Sequence, residues 1–304
     1  MLTIFLAIAP VFALILMGYG LRRGGIPSTE FWNLNDRLVY WVLMPALFFA
    51  KISAADLSGG LGDYALLLYA GFFAAIFCGW LFGRRVPAPQ ASSLLQGSAR
   101  FNTFIGLAIA EAVFGTKGLQ IAVLGSALLV PVVNITVVTL MTRQLGGGGK
   151  SILRGLIRNP LILSIFAGVL FNLAGLNEVP VLHEIARILG SAALPIMLLC
   201  VGANLKLRGL SGSVQIIGLS MLGKFLINPI AVILAAWFLG PDPLTLQIAL
   251  IFAALPTGVA SYTLAREMRG DAPLMAAIIT TQTLLSFVTL PLTLLIGQAV
   301  LSLN

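Results

Sequence analysis

Charge is what this chain has least of. Asp, Glu, Lys and Arg make up 9% of its 304 residues, where about 25% is usual for a soluble domain. Too few charges remain to build a water-facing surface, which excludes soluble enzymes and soluble nucleic-acid-binding modules. Histidine occurs once, at His183, so no multi-histidine metal site can form. Two cysteines, Cys78 and Cys200, lie inside apolar runs and supply neither a disulfide framework nor a Cys-x-x-Cys site. A GxxxxGK[ST] loop is missing, which argues against a self-contained ATP-driven pump. GxSxG, HExxH and paired intramembrane aspartates are missing too, so the chain is expected not to be an enzyme and to carry no metal or cofactor.

What is abundant is apolar: 59% hydrophobic residues, interspersed with 32 Gly and 15 Pro. A hydrocarbon core about 30 Å thick takes about 20 helical residues to cross. Apolar runs of that length predict ten spans, near residues 2–21, 33–52, 64–83, 94–114, 119–141, 157–176, 185–205, 214–239, 244–265 and 273–301. Their apolarity is continuous rather than alternating, so an all-α polytopic membrane protein is expected and a β-barrel is not. The first span has no basic leader and reads as a retained helix.

Thirteen of the 18 Lys and Arg residues fall in loops at one face, three (Lys51, Lys117, Arg187) at the other, and only Arg100 and Lys224 inside spans. This positive-inside bias makes the richer face cytoplasmic and places both termini outside. The net charge of +8 is therefore a topology signal, with anionic lipid headgroups as the partner of the basic loops. No nucleic-acid partner is expected.

Comparison of the two halves at a lag of 150 residues pairs Pro10 with Pro160, Gly18 with Gly168, Gly25 with Gly175 and Pro45 with Pro195. A duplicated five-span unit is odd-numbered, so its copies, 1–142 and 157–304, insert in opposite orientations. Residues 143–156, with the run Gly146 to Gly149, form the connection between them. Inverted repeats predict alternating access around a midplane site made by discontinuous helices. Pro256 and Gly258 predict a break in the ninth span. The matching stretch of the fourth span, Ser98-Ala99-Arg100-Phe101-Asn102-Thr103-Phe104-Ile105-Gly106, is the most polar inside any span, and unwinding is expected there too. Phe101 aligns with Pro256, and Asn102 with Thr257.

With these residues, the chain resembles the auxin efflux carrier family, which contains the plant PIN exporters and bacterial malonate or malate permeases. The resemblance is carried by Pro10-Val11-Phe12 through Gly18-Tyr19-Gly20-Leu21-Arg22-Arg23, by Met44-Pro45-Ala46-Leu47-Phe48-Phe49 and by Arg100 to Gly106. Leu194-Pro195-Ile196-Met197, Val201-Gly202-Ala203-Asn204 and Asn228-Pro229 extend it along the chain. It implies ten helices as two inverted repeats with crossing, broken helices four and nine, a fold like that of NhaA and the bile-acid symporters. The first, second, sixth and seventh helices would be a scaffold and the others a transport domain moving as an elevator. A homodimer through the scaffold and residence in the bacterial cytoplasmic membrane are implied as well. The plant carriers have a Pro-Asn pair at each crossover; this chain keeps Asn102 without the proline and Pro256 without the asparagine.

The expected ligand is a small organic anion, a carboxylate, at the crossover. Asn102, Thr257 and half-helix N-termini would bind it, with Pro256 and Gly258 maintaining the break. Lys224 and Arg100 are the charged candidates. Lys224 could meet the carboxylate, exchange a proton, or be a fixed cation bonded to carbonyls of a broken helix. Arg100 could meet the anion or snorkel to the cytoplasmic headgroups. Asn134, Asn228, Tyr262 and Gln282 read as second-choice contacts or as interhelical hydrogen bonds. Coupling to H+ or Na+ is open. The rival reading is a passive anion channel or a membrane-embedded ligand sensor.

Overall fold

The computed structural model describes residues 2–55, 60–145, 159–206 and 213–301. Among them every regular element is helical. The helices are α1 (Leu2–Arg23), α2 (Thr29–Leu38), α3 (Met44–Ser53), α4 (Leu61–Gly83), α5 (Ala88–Ala99), α6 (Thr103–Leu145) and α7 (Pro160–Leu173). They continue as α8 (Leu182–Ala203), α9 (Val214–Met221), α10 (Asn228–Leu239), α11 (Pro243–Ala254), α12 (Ala260–Glu267) and α13 (Ala272–Leu301). Wider π turns, Val39–Leu43 and Leu222–Ile227, join α2 to α3 and α9 to α10 without interrupting the rod.

Six helical segments among the described residues are long and apolar enough to cross a membrane. Large apolar side chains also face outward, among them Leu173, Trp237 and Phe238, each 70% exposed or more. Such a surface is costly in water and suits a lipid solvent. The starts of the shorter apolar helices are set by side-chain caps. Asn159 Oδ1 accepts from Leu161 N, and Asp242 Oδ1 from Leu244 N and Thr245 N, with Pro160 and Pro243 at the next position.

Two packed groups emerge. α1 lies on α8, while α3 lies on α7 and α8; α4 packs on α5 and α10, and α11 on α13, α6 and α10. Small residues allow the close approaches. A Cβ added to Gly18 would overlap the Leu199 carbonyl, and one on Gly202 would overlap that of Ile15, so the α1 and α8 backbones touch. Lipid offers no hydrophobic drive to join apolar helices, so such backbone contact carries the association. Asn172 Nδ2 lies 2.8–3.2 Å from the carbonyls of Ile52, Ser53 and Ala55 and closes the end of α3. His183 Nδ1 accepts from Val179 N, leaving Nε2 to donate to Ser53 Oγ at 3.0 Å; the sole histidine is thus part of a helix-end network.

Several expected boundaries shift. The fourth span begins at Ala88 rather than near residue 94, because Pro87 and Pro89 start α5 earlier. Unwinding is confined to Arg100–Asn102, since Asn102 restarts a helix at Thr103. Within α6 two helices meet at Gly115, whose φ of 64° glycine alone adopts freely, between the ends expected at 114 and 119. Of the expected connection 143–156, Arg143, Gln144 and Leu145 are helical and the remainder lies outside the described residues.

The α1–α8 contact yields a prediction. Gly202→Ala forces a methyl into the Ile15 carbonyl and should cost about 2 kcal/mol or more, read as a lower unfolding temperature in detergent. Gly20→Ala, with open space around the new methyl, should leave that temperature unchanged.

Candidate functional site

Two interrupted rods meet inside the second packed group. α5 ends at Ala99 and α6 begins at Thr103, leaving Arg100, Phe101 and Asn102 outside helical geometry; α11 ends at Ala254 and α12 begins at Ala260 after Leu255 to Val259. The breaks touch through their backbones: Asn102 N donates to the Pro256 carbonyl at 2.8 Å. A Cβ on Gly258 would sit 2.8 Å from the Phe101 carbonyl oxygen, so the crossing requires glycine there. Phe101 seats its ring edge-on against Phe252 of α11, with centroids 5.5 Å apart.

Asn102 is buried and caps α6: its Oδ1 accepts from Phe104 N at 3.1 Å and Ile105 N at 3.3 Å. Its Nδ2 is buried with no hydrogen-bond partner among the described residues. An amide donor left alone beside a helix N-terminus is expensive unless something accepts from it. Arg100 sits two residues before it, with a buried, unpartnered terminal nitrogen and Tyr40 of the first π turn as its electrostatic neighbour. The residue as a whole is half-buried. Gln96 and Ser261 are fully buried as well, and neither side chain finds a partner among the described residues.

Thr257 and Gln282 are brought together, on the opposite polarity of the crossing. Gln282 Oε1 accepts from Thr257 N at 2.9 Å and lies 2.7 Å from Thr257 Oγ1. Gln282 Nε2 donates to the Gly97 carbonyl at 2.9 Å and lies 3.3 Å from Ser220 Oγ. One glutamine on α13 thereby ties α5, α9 and the second break together. Lys224, held in the π turn and fully buried, donates from Nζ to the Ala99 carbonyl at 3.2 Å, the last residue of α5. A cation there complements the negative helix end. Of its open readings, this is the contact of a fixed cation on a broken helix.

The other candidates lie elsewhere or act otherwise. Tyr262 is stacked beneath Lys206, 4.0 Å from Nζ to ring centroid, where α8 has ended. Asn228 is buried against Gly71 of α4, an interhelical contact. Asn134 is half-buried on α6, with no hydrogen bond to the crossing among the described residues. Gln96 and Ser261 were missed because a lone glutamine or serine in an apolar run has no sequence signature; the only available signal was nearness to the predicted breaks.

The apolar rods, the crossed breaks and the buried polar cluster suit a carrier of polar solutes. A family model described as "Membrane transport protein" matches residues 3–151 and 148–294. The chain belongs to this family, that of the auxin efflux carriers. An "Uncharacterized transporter" of Methanothermobacter thermautotrophicus is 28% identical over 93% of the chain and 94% of the relative. A "Putative malonate transporter" of Rhizobium meliloti is 30% identical over 93% and 92%. An uncharacterized transporter of Methanocaldococcus jannaschii is 23% identical over 93% and 95%.

Gln282→Leu would strip an acceptor from Thr257 N and a donor from the Gly97 carbonyl, both buried. The expected loss is about 2–4 kcal/mol, measured as a lower unfolding temperature, with Thr281→Ala on the neighbouring, half-buried position losing less.

Proposed function

We propose that this family member is a secondary active transporter of a small organic anion, a carboxylate, held where the two broken helices cross. The reading is carried by Asn102: a buried amide donor without a partner, fixed at the N-terminus of a half-helix by its own capping oxygen. The open Asn102 amide and the positive dipole end of α6 favour a negative ligand. Arg100, two residues away, adds a full positive charge. The name of the Rhizobium meliloti relative makes malonate the first substrate to test.

In this proposal the ten spans are two inverted repeats. The group of α1, α2, α3, α7 and α8 is the static scaffold, and α4, α5, α6 and α9 to α13 carry the site across as an elevator. The packing supports that division, since the α1–α8 and α3–α8 contacts lie within one group, while α5, α9, α11 and α13 pack among themselves. Gln282 and the Asn102–Pro256 hydrogen bond hold the crossing together as a unit that moves without coming apart. The protein resides in the cytoplasmic membrane with both termini outside, and a homodimer would form through the scaffold.

The discriminating variant is Asn102→Asp. Aspartate caps a helix as well as asparagine does, so α6 stays in place, while the free donor is lost and a negative charge faces the anion. Saturable counterflow of labelled malonate in proteoliposomes should fall about tenfold to a hundredfold at an unchanged unfolding temperature. Counterflow retained in this variant would place the anion elsewhere; wild-type protein that moves none of a panel of mono- and dicarboxylates would remove the carboxylate assignment.

A further inference from the structure

Two arginines close α1, and neither forms an ion pair among the described residues. Arg22 Nη1 donates to Asn204 Oδ1 at 3.0 Å, and Arg23 Nη1 to the Tyr19 hydroxyl at 3.2 Å. Both acceptors are neutral, and a guanidinium has further donors to offer. The acid in this network is Asp36, whose Oδ2 accepts from Asn204 Nδ2 at 2.8 Å, so the asparagine stands between carboxylate and guanidinium. Lys206 is the third cation. It follows the end of α8, where its backbone N–H donates to Thr280 Oγ1 of α13 at 3.2 Å and its ammonium lies 4.0 Å from the centre of the Tyr262 ring of α12.

Tyr19, Arg22, Arg23, Asn204 and Lys206 line one cavity of about 370 Å3, a size found among small-molecule sites. Asp36 offsets one of the three charges and leaves the cavity positive. Guanidinium groups match phosphate oxygens in geometry as well as charge. We propose that this cavity binds a phosphate-type oxyanion, either free phosphate or the phosphate of an anionic lipid headgroup, on the face proposed to be cytoplasmic. Arg22 and Arg23 take the oxygens, and Lys206 adds its charge from the end of α8. A bound anion relieves the repulsion among the cations and ties α1 to the α8 end, which is itself fastened to α12 and α13. None of the lining residues belongs to the crossing, so the site stands independently of the carboxylate assignment.

Occupancy should therefore raise the unfolding temperature of the purified full-length protein in detergent. One arm adds sodium phosphate against NaCl at equal ionic strength; the other adds phosphatidylglycerol to the micelles against phosphatidylcholine. Wild type should gain about 3 °C or more in at least one arm. A gain with phosphate alone identifies the free anion, and a gain with phosphatidylglycerol alone the headgroup. The double substitution Arg22→Gln, Arg23→Gln should abolish the gain, whereas Arg84→Gln, Arg85→Gln, just after α4 and outside the cavity, should keep it. General stabilisation by phosphate as an excluded solute is shared by all variants, so the difference between them decides. If the Arg22 and Arg23 double variant does not fold, Arg23→Gln alone, at an exposed side chain, replaces it and should lose most of the gain. Wild type indifferent in both arms would overturn the proposal. So would a gain kept without the cavity arginines, or one lost equally without Arg84 and Arg85.

Discussion

A single constraint organises this molecule: inside a membrane, backbone that leaves a helix must find its hydrogen bonds within the protein. The chain leaves helical geometry twice in one place, at Arg100–Asn102 and Leu255–Val259, and each break supplies what the other lacks. Asn102 N donates to the Pro256 carbonyl, whose own nitrogen has no hydrogen to give. Thr257 N is received by Gln282, and the α5 carbonyls by Gln282 and Lys224. Against these pairings, the buried side-chain atoms of the crossing without a partner among the described residues are informative.

Most of those remaining groups are donors, with Gln96 Oε1 an unpartnered acceptor on α5. The carbonyl end of α5 is saturated by donors from α13 and the α9–α10 π turn. Open donors stand instead at the start of α6, on Asn102 and Arg100. Free donors beside a helix N-terminus suit an acceptor-rich, negative ligand, the chemistry of the proposed carboxylate. The glycines serve this arrangement at a distance. Gly258 admits the first break against the second, while Gly18 and Gly202 let the α1 and α8 backbones touch.

Much of this was legible in the residues. Pro256 with Gly258 marks a break by mechanism, because one removes a donor and the other relaxes the backbone, and the polar run from Ser98 to Thr103 marked the second without any proline. Lys224 was conspicuous as a charge deep in an apolar run. What could not be read was partnership. Whether Thr257 faces a ligand or Gln282 depends on how α13 crosses the break some 25 residues earlier in the chain, and no local pattern encodes that. Tyr262 looked like a site residue for its nearness to Pro256, yet one helical turn directs it to Lys206. Gln96 and Ser261 were invisible for the opposite reason: their polarity is ordinary, and only full burial without a partner singles them out.

The central claim is that an anion occupies the crossing and that the crossing faces each side of the membrane in turn. Ser261→Cys in a Cys78→Ala, Cys200→Ala background places one thiol at the start of α12, fully buried in the conformation described. Its labelling by a membrane-impermeant thiol reagent, applied from either side of oriented vesicles, is the direct measurement. The account predicts slow labelling from both sides and protection by malonate. Labelling from one side only, or labelling that malonate does not slow, would contradict it.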